Sequence, residues 1–133
     1  MRKLTVNVDG GARGNPGPAA IAAVLTGADG EVLEEHAMRI GTATNNVAEY
    51  RALLLGIERA TELDASEVEL VGDSELVVKQ VRGEYRVKDP AMRELHAAVQ
   101  RALRGFDRWS IRHVRRELNA EADRLVNRAL DSA

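Results

Sequence analysis

The sequence of 133 residues contains no cysteine, which excludes disulfide bonds, thiolate metal sites and cysteine nucleophiles. It has only one Trp, two Tyr and one Phe, so a nucleic-acid surface built on base stacking would have little material. The longest apolar run covers residues 19–25, far short of the roughly 20 residues that span a bilayer. We therefore expect a cytoplasmic protein that contacts no membrane and binds any nucleic acid through charge and backbone groups.

What the sequence does contain is typical of one globular domain, residues 1–133. Apolar residues make up 44% and charged residues 30%, ordinary values for a chain that buries a single core. The net charge is only −2, but residues 27–75 hold 12 acidic and 3 basic side chains, whereas residues 79–128 hold 7 acidic and 13 basic ones. The second region could face an anion, although a solvated surface is the simpler explanation for most of these charges.

Hydrophobic periodicity predicts an α/β fold. Alternating apolar and polar residues indicate a first strand that ends at Asp9, followed by a Gly- and Pro-rich loop over residues 10–18. The remaining elements follow from the same periodicities and from turn and capping residues: strands over 19–26 and 31–40, a helix over 44–63, a strand over 66–72, helices over 74–81 and 90–102, a strand over 108–114, and a last helix capped by Asn119. Helical crossovers in this order make the later strands parallel to the first.

Four acidic residues fall at strand ends or in the first turns of predicted helices: Asp9, Glu49, Asp73 and Asp123. If the first and fourth strands are neighbours, these side chains could converge at one sheet edge, where ligands gather in such folds. An all-oxygen cluster suits Mg²⁺ or Mn²⁺, and two such ions about 3.5–4 Å apart would support in-line hydrolysis of a phosphodiester. Each acid also has a structural explanation, as a turn residue, a helix cap or a complement to a helix dipole. Spacing alone leaves both interpretations open.

Four segments resemble the ribonuclease H family, type 1, in order and spacing along the whole chain. They are residues 9–18 (DGGARGNPGP), residues 44–50 (TNNVAEY), Asp73-Ser74, and His113 followed by Asn119 and Asp123. The resemblance implies a ribonuclease H-like five-stranded mixed sheet in the order 3-2-1-4-5, with strands 1–3 antiparallel and helices on both faces. It also implies a hydrolase, an endonuclease that cuts the RNA strand of RNA–DNA hybrids with two Mg²⁺ ions and leaves 5′-phosphate and 3′-hydroxyl ends.

The resemblance assigns roles to individual residues. The four acids are the expected metal ligands, for two Mg²⁺ ions or for Mn²⁺ as a substitute, with Asp9 as the bridge. His113 matches a mobile histidine that assists proton movement or product release; a half-buried strand residue is the alternative. The expected substrate-binding residues are Gly10, Gly11, Ala12, Asn15 and Asn45 toward the RNA strand, and Arg13, Thr44, Asn46 and Tyr85 toward the DNA strand.

The physical chemistry of the RNA strand favours the same residues. An RNA reader must sense the 2′-hydroxyl, which both donates and accepts a hydrogen bond. The small residues 10–12 allow close backbone approach, and Asn15 and Asn45 offer donors and acceptors. Asn45 and Glu49 are four residues apart, so they share a helix face. Asn45 as a cap, Asn15 as a turn residue and Tyr85 as a core residue are the alternatives.

The sequence departs from longer family members in three places. Residues 83–90 are too short for a basic protrusion, we expect no hybrid-binding module before Asp9, and residues 114–116 replace a Gly-containing loop after His113. We expect the Arg-rich residues 101–116 to compensate in part, and we question the mobility of His113. We expect a monomer with no obligate protein partner.

Competing functions are distinguished by single features. The glycines of residues 10–17 do not form the G-x-G-x-x-G pattern of a dinucleotide site, which argues against an oxidoreductase. A non-cutting binder of the same fold would gain nothing from four uncompensated acids facing phosphate. A junction resolvase would not need the asparagines that favour RNA sensing.

Overall fold

The computed structural model describes residues 2–132, and its centre is a five-stranded sheet in the order β3-β2-β1-β4-β5. The strands are β1 (Lys3–Ala12), β2 (Gly17–Gly27), β3 (Val32–Ala43), β4 (Glu67–Gly72) and β5 (Arg108–His113). The helices are α1 (Asn45–Glu62), α2 (Glu75–Val81), α3 (Pro90–Leu103) and α4 (Ala120–Asp131), with a 3₁₀ turn at Arg116–Asn119. Within residues 2–132, no helix combines the length and the apolarity needed to cross a membrane.

The strand pairing confirms the predicted mixed sheet. β1 pairs antiparallel with β2, and β2 with β3. β4 pairs parallel with β1, and β5 with β4, as crossover helices between consecutive strands require. The β1–β4 ladder ends at the pair Asn7–Val71, so β1 continues beyond its parallel neighbour toward the loops that follow β4.

Helices cover both faces of the sheet, as predicted. Leu4, Val6 and Val8 alternate along β1 and are buried against α1, α2 and α3, which supply residues such as Leu53 and Ile57. On the other face, α4 packs Ala122, Leu125 and Val126 against small and branched residues of β2, namely Ala20, Ala22 and Val24. Burial of apolar side chains at about 1.5–3 kcal/mol each is the main source of stability. This burial holds α1 and α4 on opposite faces of one sheet, and both helices carry acidic residues that the sequence singles out.

The predicted loop over residues 10–18 is wrong, because β1 runs through Ala12 and β2 begins at Gly17. Asp9 therefore does not end a strand; it pairs with Ala22 inside the hairpin. Gly-rich sequence usually indicates a turn, but glycine also occurs in strands where another backbone approaches closely. Gly10 is such a position, because a Cβ there would lie 2.3 Å from the carbonyl oxygen of Ala48 in α1.

The predicted cap of the last helix is also wrong in its chemistry. Asn119 does precede α4, but its side chain makes no capping hydrogen bond. It is buried and contacts β1 instead. By contrast, Thr44, one of the two residues that could cap α1, with Asn45 the other, is the cap, since its hydroxyl oxygen accepts a hydrogen bond from the N–H of Val47 at 3.2 Å.

Candidate functional site

A cleft of about 420 Å³ opens where β1 outruns β4, between the N-terminal turn of α1 and one face of α4. The backbone of Gly10, Gly11 and Ala12 forms its floor, and Asp9, Glu49, Asp73 and Asp123 all line it. The predicted pairing of β1 with β4 brings Asp9 and Asp73, 64 positions apart, to one place, and the packing of α4 on the sheet adds Asp123. The cleft lies at the sheet edge where ligands bind in open α/β folds.

Three of the predicted acids form a tight group. Asp9 in β1, Glu49 in α1 and Asp73 after β4 each offer a carboxylate oxygen, and these oxygens lie within 4.8 Å of one another. Asp123 approaches from α4 on the other side, and its negative charge raises the pKa of Asp9. The structure therefore brings together all four residues that the sequence singles out as metal ligands, while their ligand role itself stays a prediction.

The close packing of α1 on β1 explains how Glu49 reaches the strand. The N–H of Gly10 donates a hydrogen bond to Oε1 of Glu49 at 3.0 Å. Because any Cβ at Gly10 would collide with the backbone of Ala48, only glycine permits this distance between helix and strand. The position of Glu49 therefore depends on the glycine at position 10, and the two residues form one structural unit.

Burial and like charge make the acid group unfavourable by itself. Asp9 is 5% exposed and Glu49 7%. Burial, together with the charge of Asp73, raises the pKa of Asp9 to about 7, against smaller lowering effects of a hydrogen bond with Glu49 and the charge of Arg116. Burial and the charge of Asp9 likewise raise the pKa of Glu49.

These observations test whether a divalent cation fits. Among residues 2–132, Oδ2 of Asp73 is buried and has no hydrogen-bond partner, which is costly unless a ligand satisfies it. A cation at the group would offset the repulsion and restore the ionised carboxylates. An all-oxygen donor set is what Mg²⁺ or Mn²⁺ prefers, so the residues fit such an ion.

The two asparagines predicted to face the RNA strand brace the rim of the cleft. Oδ1 of Asn45 accepts a hydrogen bond from the N–H of Ala12 at 2.8 Å, and Oδ1 of Asn15 accepts one from the N–H of Asn45 at 3.0 Å. Both residues are exposed. Their oxygens hold β1, the β1–β2 turn and α1 together, so their Nδ2 groups are the side-chain donors that remain for a ligand.

Other predicted binding residues lie at the rim or outside the cleft. Asn46 lines the cleft, and Arg13 lines it while pairing with Asp131 at 2.6 Å. Tyr85 is 44% exposed, so its interpretation as a core residue is wrong; Nζ of Lys79 lies 5.0 Å from its ring centroid. Thr44 is used as the helix cap.

His113 stands at the end of β5 and is exposed, which makes the half-buried interpretation wrong. It pairs in register with Gly72, the residue before Asp73. The backbone of His113 is thus next to the residue before Asp73, but His113 does not line the cleft, and its catalytic role stays a prediction.

Sequence reasoning assigned no individual site role to five residues that line the cleft, the apolar Val126 and Leu130 and the polar Ser74, Arg116 and Asn127. Ser74 caps α2 through its hydroxyl oxygen, which accepts from the N–H of Val77. Arg116 brings a positive charge that lowers the pKa of Asp9. Asn127 is four residues after Asp123, a helical spacing that could have identified it; the charge of Arg116 in an Arg-rich segment gave no such signal.

Comparisons with known proteins agree with this geometry. The family model described as "Reverse transcriptase-like" matches residues 7–129. The chain is similar to ribonuclease HI of Halobacterium salinarum, with 48% identity over 125 residues that cover 94% of this chain and 63% of that protein. It is also similar to the bifunctional protein Rv2228c of Mycobacterium tuberculosis, with 46% identity over 98% of this chain and 36% of that protein. The chain thus spans less than two thirds of the length of these relatives.

Solved structures show the same likeness. The crystal structure of the Halobacterium salinarum RNase H1 superimposes with a TM-score of 0.96 and 46% identity, covering 98% of this chain and 99% of that one. LC11-RNase H1, solved in complex with an RNA/DNA hybrid, gives a TM-score of 0.91 and 42% identity, with 96% of each chain covered. The fold around the cleft is therefore shared across the full length of these catalytic units.

Proposed function

The chain belongs to the ribonuclease H family, type 1, and from that membership we propose that it is a metal-dependent endonuclease that hydrolyses the RNA strand of RNA–DNA hybrids. The observation that carries the proposal is the group of three carboxylates within 4.8 Å of one another. A similar protein of this family, LC11-RNase H1, has been solved with an RNA/DNA hybrid bound. We propose the same class of substrate here.

Asp9, Glu49, Asp73 and Asp123 would hold two Mg²⁺ ions together with substrate, or Mn²⁺ in their place, with Asp9 shared between the ions. Bound ions of this kind lower the pKa of a water molecule and neutralise charge at a phosphate undergoing in-line displacement. The products would then carry 5′-phosphate and 3′-hydroxyl ends. The cluster is pre-formed by the sheet and helices, so the chain has little reorganisation to make when it loads the cations.

The remaining residues would position the hybrid. The backbone of Gly10, Gly11 and Ala12 allows a ribose to approach β1 closely, and the Nδ2 groups of Asn15 and Asn45 can donate to its 2′-hydroxyl. The N–H of Ala12 donates a hydrogen bond to Asn45, and the N–H of Gly10 donates one to Glu49. These two hydrogen bonds connect the residues that would bind the ribose to the acid group. Asn45 and Glu49 are one helical turn apart on α1, so a ribose that binds Asn45 would lie close to the acid group.

The DNA strand would lie along a separate rim. Asn46 and Arg13 line the cleft, Thr44 caps α1 next to Asn46, and Tyr85 is on the exposed turn after α2. His113 would move a proton near Asp73 or assist release of the product. We further propose that residues 1–133 act as one catalytic domain, as a monomer in the cytoplasm.

A strand-labelled hybrid, incubated with and without Mg²⁺ beside matched RNA and DNA duplexes, tests the proposed function. We expect cleavage of the RNA strand only, dependent on Mg²⁺ or Mn²⁺, with end analysis giving a 5′-phosphate. Asp9→Asn should lose turnover by about 10³-fold or more, because it removes a ligand from the shared position. Asp107→Asn, an exposed acid away from the cleft, should retain it.

The same assay separates the rival functions when a four-way DNA junction and a native binding gel are added. A hybrid that is retained but left intact with either ion identifies a non-cutting binder and overturns the enzyme proposal. Preferential cleavage of a four-way DNA junction identifies a junction resolvase. Near-native turnover of Asp9→Asn would contradict the metal assignment.

A further inference from the structure

Asn119 is a buried polar residue that the proposed chemistry does not use. It is 2% exposed and is the last residue of the 3₁₀ turn, directly before α4. Its Nδ2 group donates a hydrogen bond to the carbonyl oxygen of Val8 at 2.8 Å, and its Oδ1 accepts one from Nδ2 of Asn7 at 3.0 Å. Both partners are on β1, immediately before Asp9. The side chain thus uses both ends of its amide to hold the start of α4 against the strand.

Further contacts show that α4 runs alongside β1 in the same direction. Asn119 contacts Asn7, a Cβ added at Gly11 would lie 3.8 Å from Cγ1 of Val126, and Arg13 pairs with Asp131 at 2.6 Å. Residue numbers therefore increase in the same direction along β1 and α4. Asp9 and Asp123 fall between the first and second of these contacts.

The spacings of strand and helix match at this place. Asn7 and Asp9 are two residues apart, so they share one face of the sheet and are separated by about 6.6 Å. Asn119 and Asp123 are four residues apart, so they share a helix face at a rise of about 6 Å. Docking Asn119 on Asn7 therefore sets Asp123 opposite Asp9, and the charge of Asp123 acts on Asp9 accordingly.

The apolar contacts of α4 cannot fix this register alone. They consist largely of small and branched residues, with Ala122 and Val126 on the helix against Ala20 and Ala22 on β2. Apolar packing is not directional, and a smooth surface of alanines tolerates sliding. Hydrogen bonds have strict distances and angles, so the amide of Asn119 supplies the register that packing lacks.

We propose that Asn119 is a positioning residue that acts through Asp123 by holding this carboxylate opposite Asp9. Asn119 itself does not touch the substrate. The inference rests on the proposed function, because it concerns the second side of the same cation site. Groups that orient a metal ligand commonly change metal affinity by about 10–100-fold when removed.

Calorimetric titration of the full chain with Mn²⁺, without substrate, tests the inference. We expect Asn119→Ala to weaken Mn²⁺ binding about tenfold or more. In an Asp123→Asn background, the same substitution should change the affinity by less than about twofold, because the residue through which it acts is already gone. Asp131→Asn is the matched control: it removes an exposed contact at the far end of α4 and should leave the affinity unchanged.

Asn7→Ala serves as a milder second variant, should Asn119→Ala fail to fold. It removes one of the two hydrogen bonds, and it should weaken Mn²⁺ binding in the wild-type background only. Equal losses in both backgrounds, or wild-type affinity in folded Asn119→Ala, would overturn the positioning role. A wild-type chain that binds Mn²⁺ but leaves the hybrid uncut would contradict the proposed function while the calorimetric cycle still decides the role of Asn119.

Discussion

Asp9 concentrates the electrostatic problem of the cleft in one residue. Its carboxylate is buried, faces Asp73 and Asp123, and has a pKa raised to about 7. Without a cation, the ionised form at alkaline pH opposes folding. In the metal-free chain, Asp9 therefore lowers stability at alkaline pH.

A substitution at Asp9 should separate these two effects. We predict that Asp9→Asn raises the melting temperature of the metal-free chain at about pH 8, because it removes a buried negative charge without changing the side-chain volume. Relief of about 1 kcal/mol corresponds to about 4 °C in a chain of this size. Thermal unfolding with a chelator measures it, Asp107→Asn is the control, and a lowered melting temperature would contradict the repulsion.

The sequence identified residues better than it identified their contacts. Asp9, Glu49, Asp73 and Asp123 could be selected because acids at strand ends and helix starts are visible locally. The bonds of Asn119 could not, because its partners lie 111 and 112 residues away and a local pattern indicates only a cap. Arg116 was missed for the same reason, since its approach to Asp9 depends on the 3₁₀ turn.

At the scale of elements, the contact between β1 and α1 decides the shape of the cleft. Glu49 reaches β1 because Gly10 lets the helix backbone approach to a distance that a Cβ would prevent. The neighbouring Gly11 has a different environment, where a Cβ would meet Val126 at an ordinary 3.8 Å. Two adjacent glycines in one strand therefore have unequal roles.

Gly10→Ala should destabilise the chain by about 1–3 kcal/mol, since the added methyl group forces α1 away from β1. It should also break the bond between Gly10 and Glu49 and weaken Mn²⁺ binding. Gly11→Ala should change stability by less than about 1 kcal/mol. Denaturant unfolding of both variants compares them, and equal losses would contradict the close approach at Gly10.

The same contact explains why the first hairpin was predicted too short. Gly and Pro between residues 10 and 18 are typical of a loop. The local sequence does not reveal that a helix packs against these residues in the folded chain. In the structure, the antiparallel ladder continues to Ala12–Ala19, because pairing with β2 satisfies the backbone and α1 covers Gly10. The strand order itself was predictable from the family resemblance and the order of crossovers, whereas strand length was not.

At the scale of the whole molecule, Glu34 and Asp9 contribute to stability with opposite dependences on pH. Hydrogen bonds from Arg59 and His36 lower the pKa of Glu34 from 4.5 to about 2. The stability from Glu34 is present above pH 4.5 and is lost as the pH falls toward 2. Asp9 acts in reverse: its contribution is present below its ordinary value of 3.8 and is lost as the pH rises toward 7.

We therefore predict that the metal-free chain is most stable between about pH 4 and pH 5 and loses stability on both sides. Excess Mn²⁺ should restore stability on the alkaline side only, because it binds ionised carboxylates. Melting temperatures across this range, with chelator and with Mn²⁺, test the prediction. Glu34→Gln should remove only the loss of stability on the acidic side. If that loss is unchanged in the variant, it arises from another residue and the prediction for Glu34 is wrong.

Charge distribution leads to a second prediction at this scale. Residues 79–128 carry 13 basic and 7 acidic side chains, and affinity for a hybrid should fall steeply with salt as phosphates release counterions. Arg13→Gln should reduce the logarithmic slope by about 1. Fluorescence anisotropy with the Asp9→Asn variant and a labelled hybrid measures the slope without cleavage. Affinity that does not vary with salt would exclude phosphate contacts as its source.

The carboxylates that face each other across the cleft belong to β1 and α4, which are separated by most of the chain. During synthesis on the ribosome, β1, α1 and β4 leave the exit tunnel while α4 is still being made. A nascent polypeptide accordingly holds three of the four acids long before the fourth can join them. If the proposed function holds, the fourth acid joins the site in a single late event, when α4 docks, and a chain that ends before α4 should not cut.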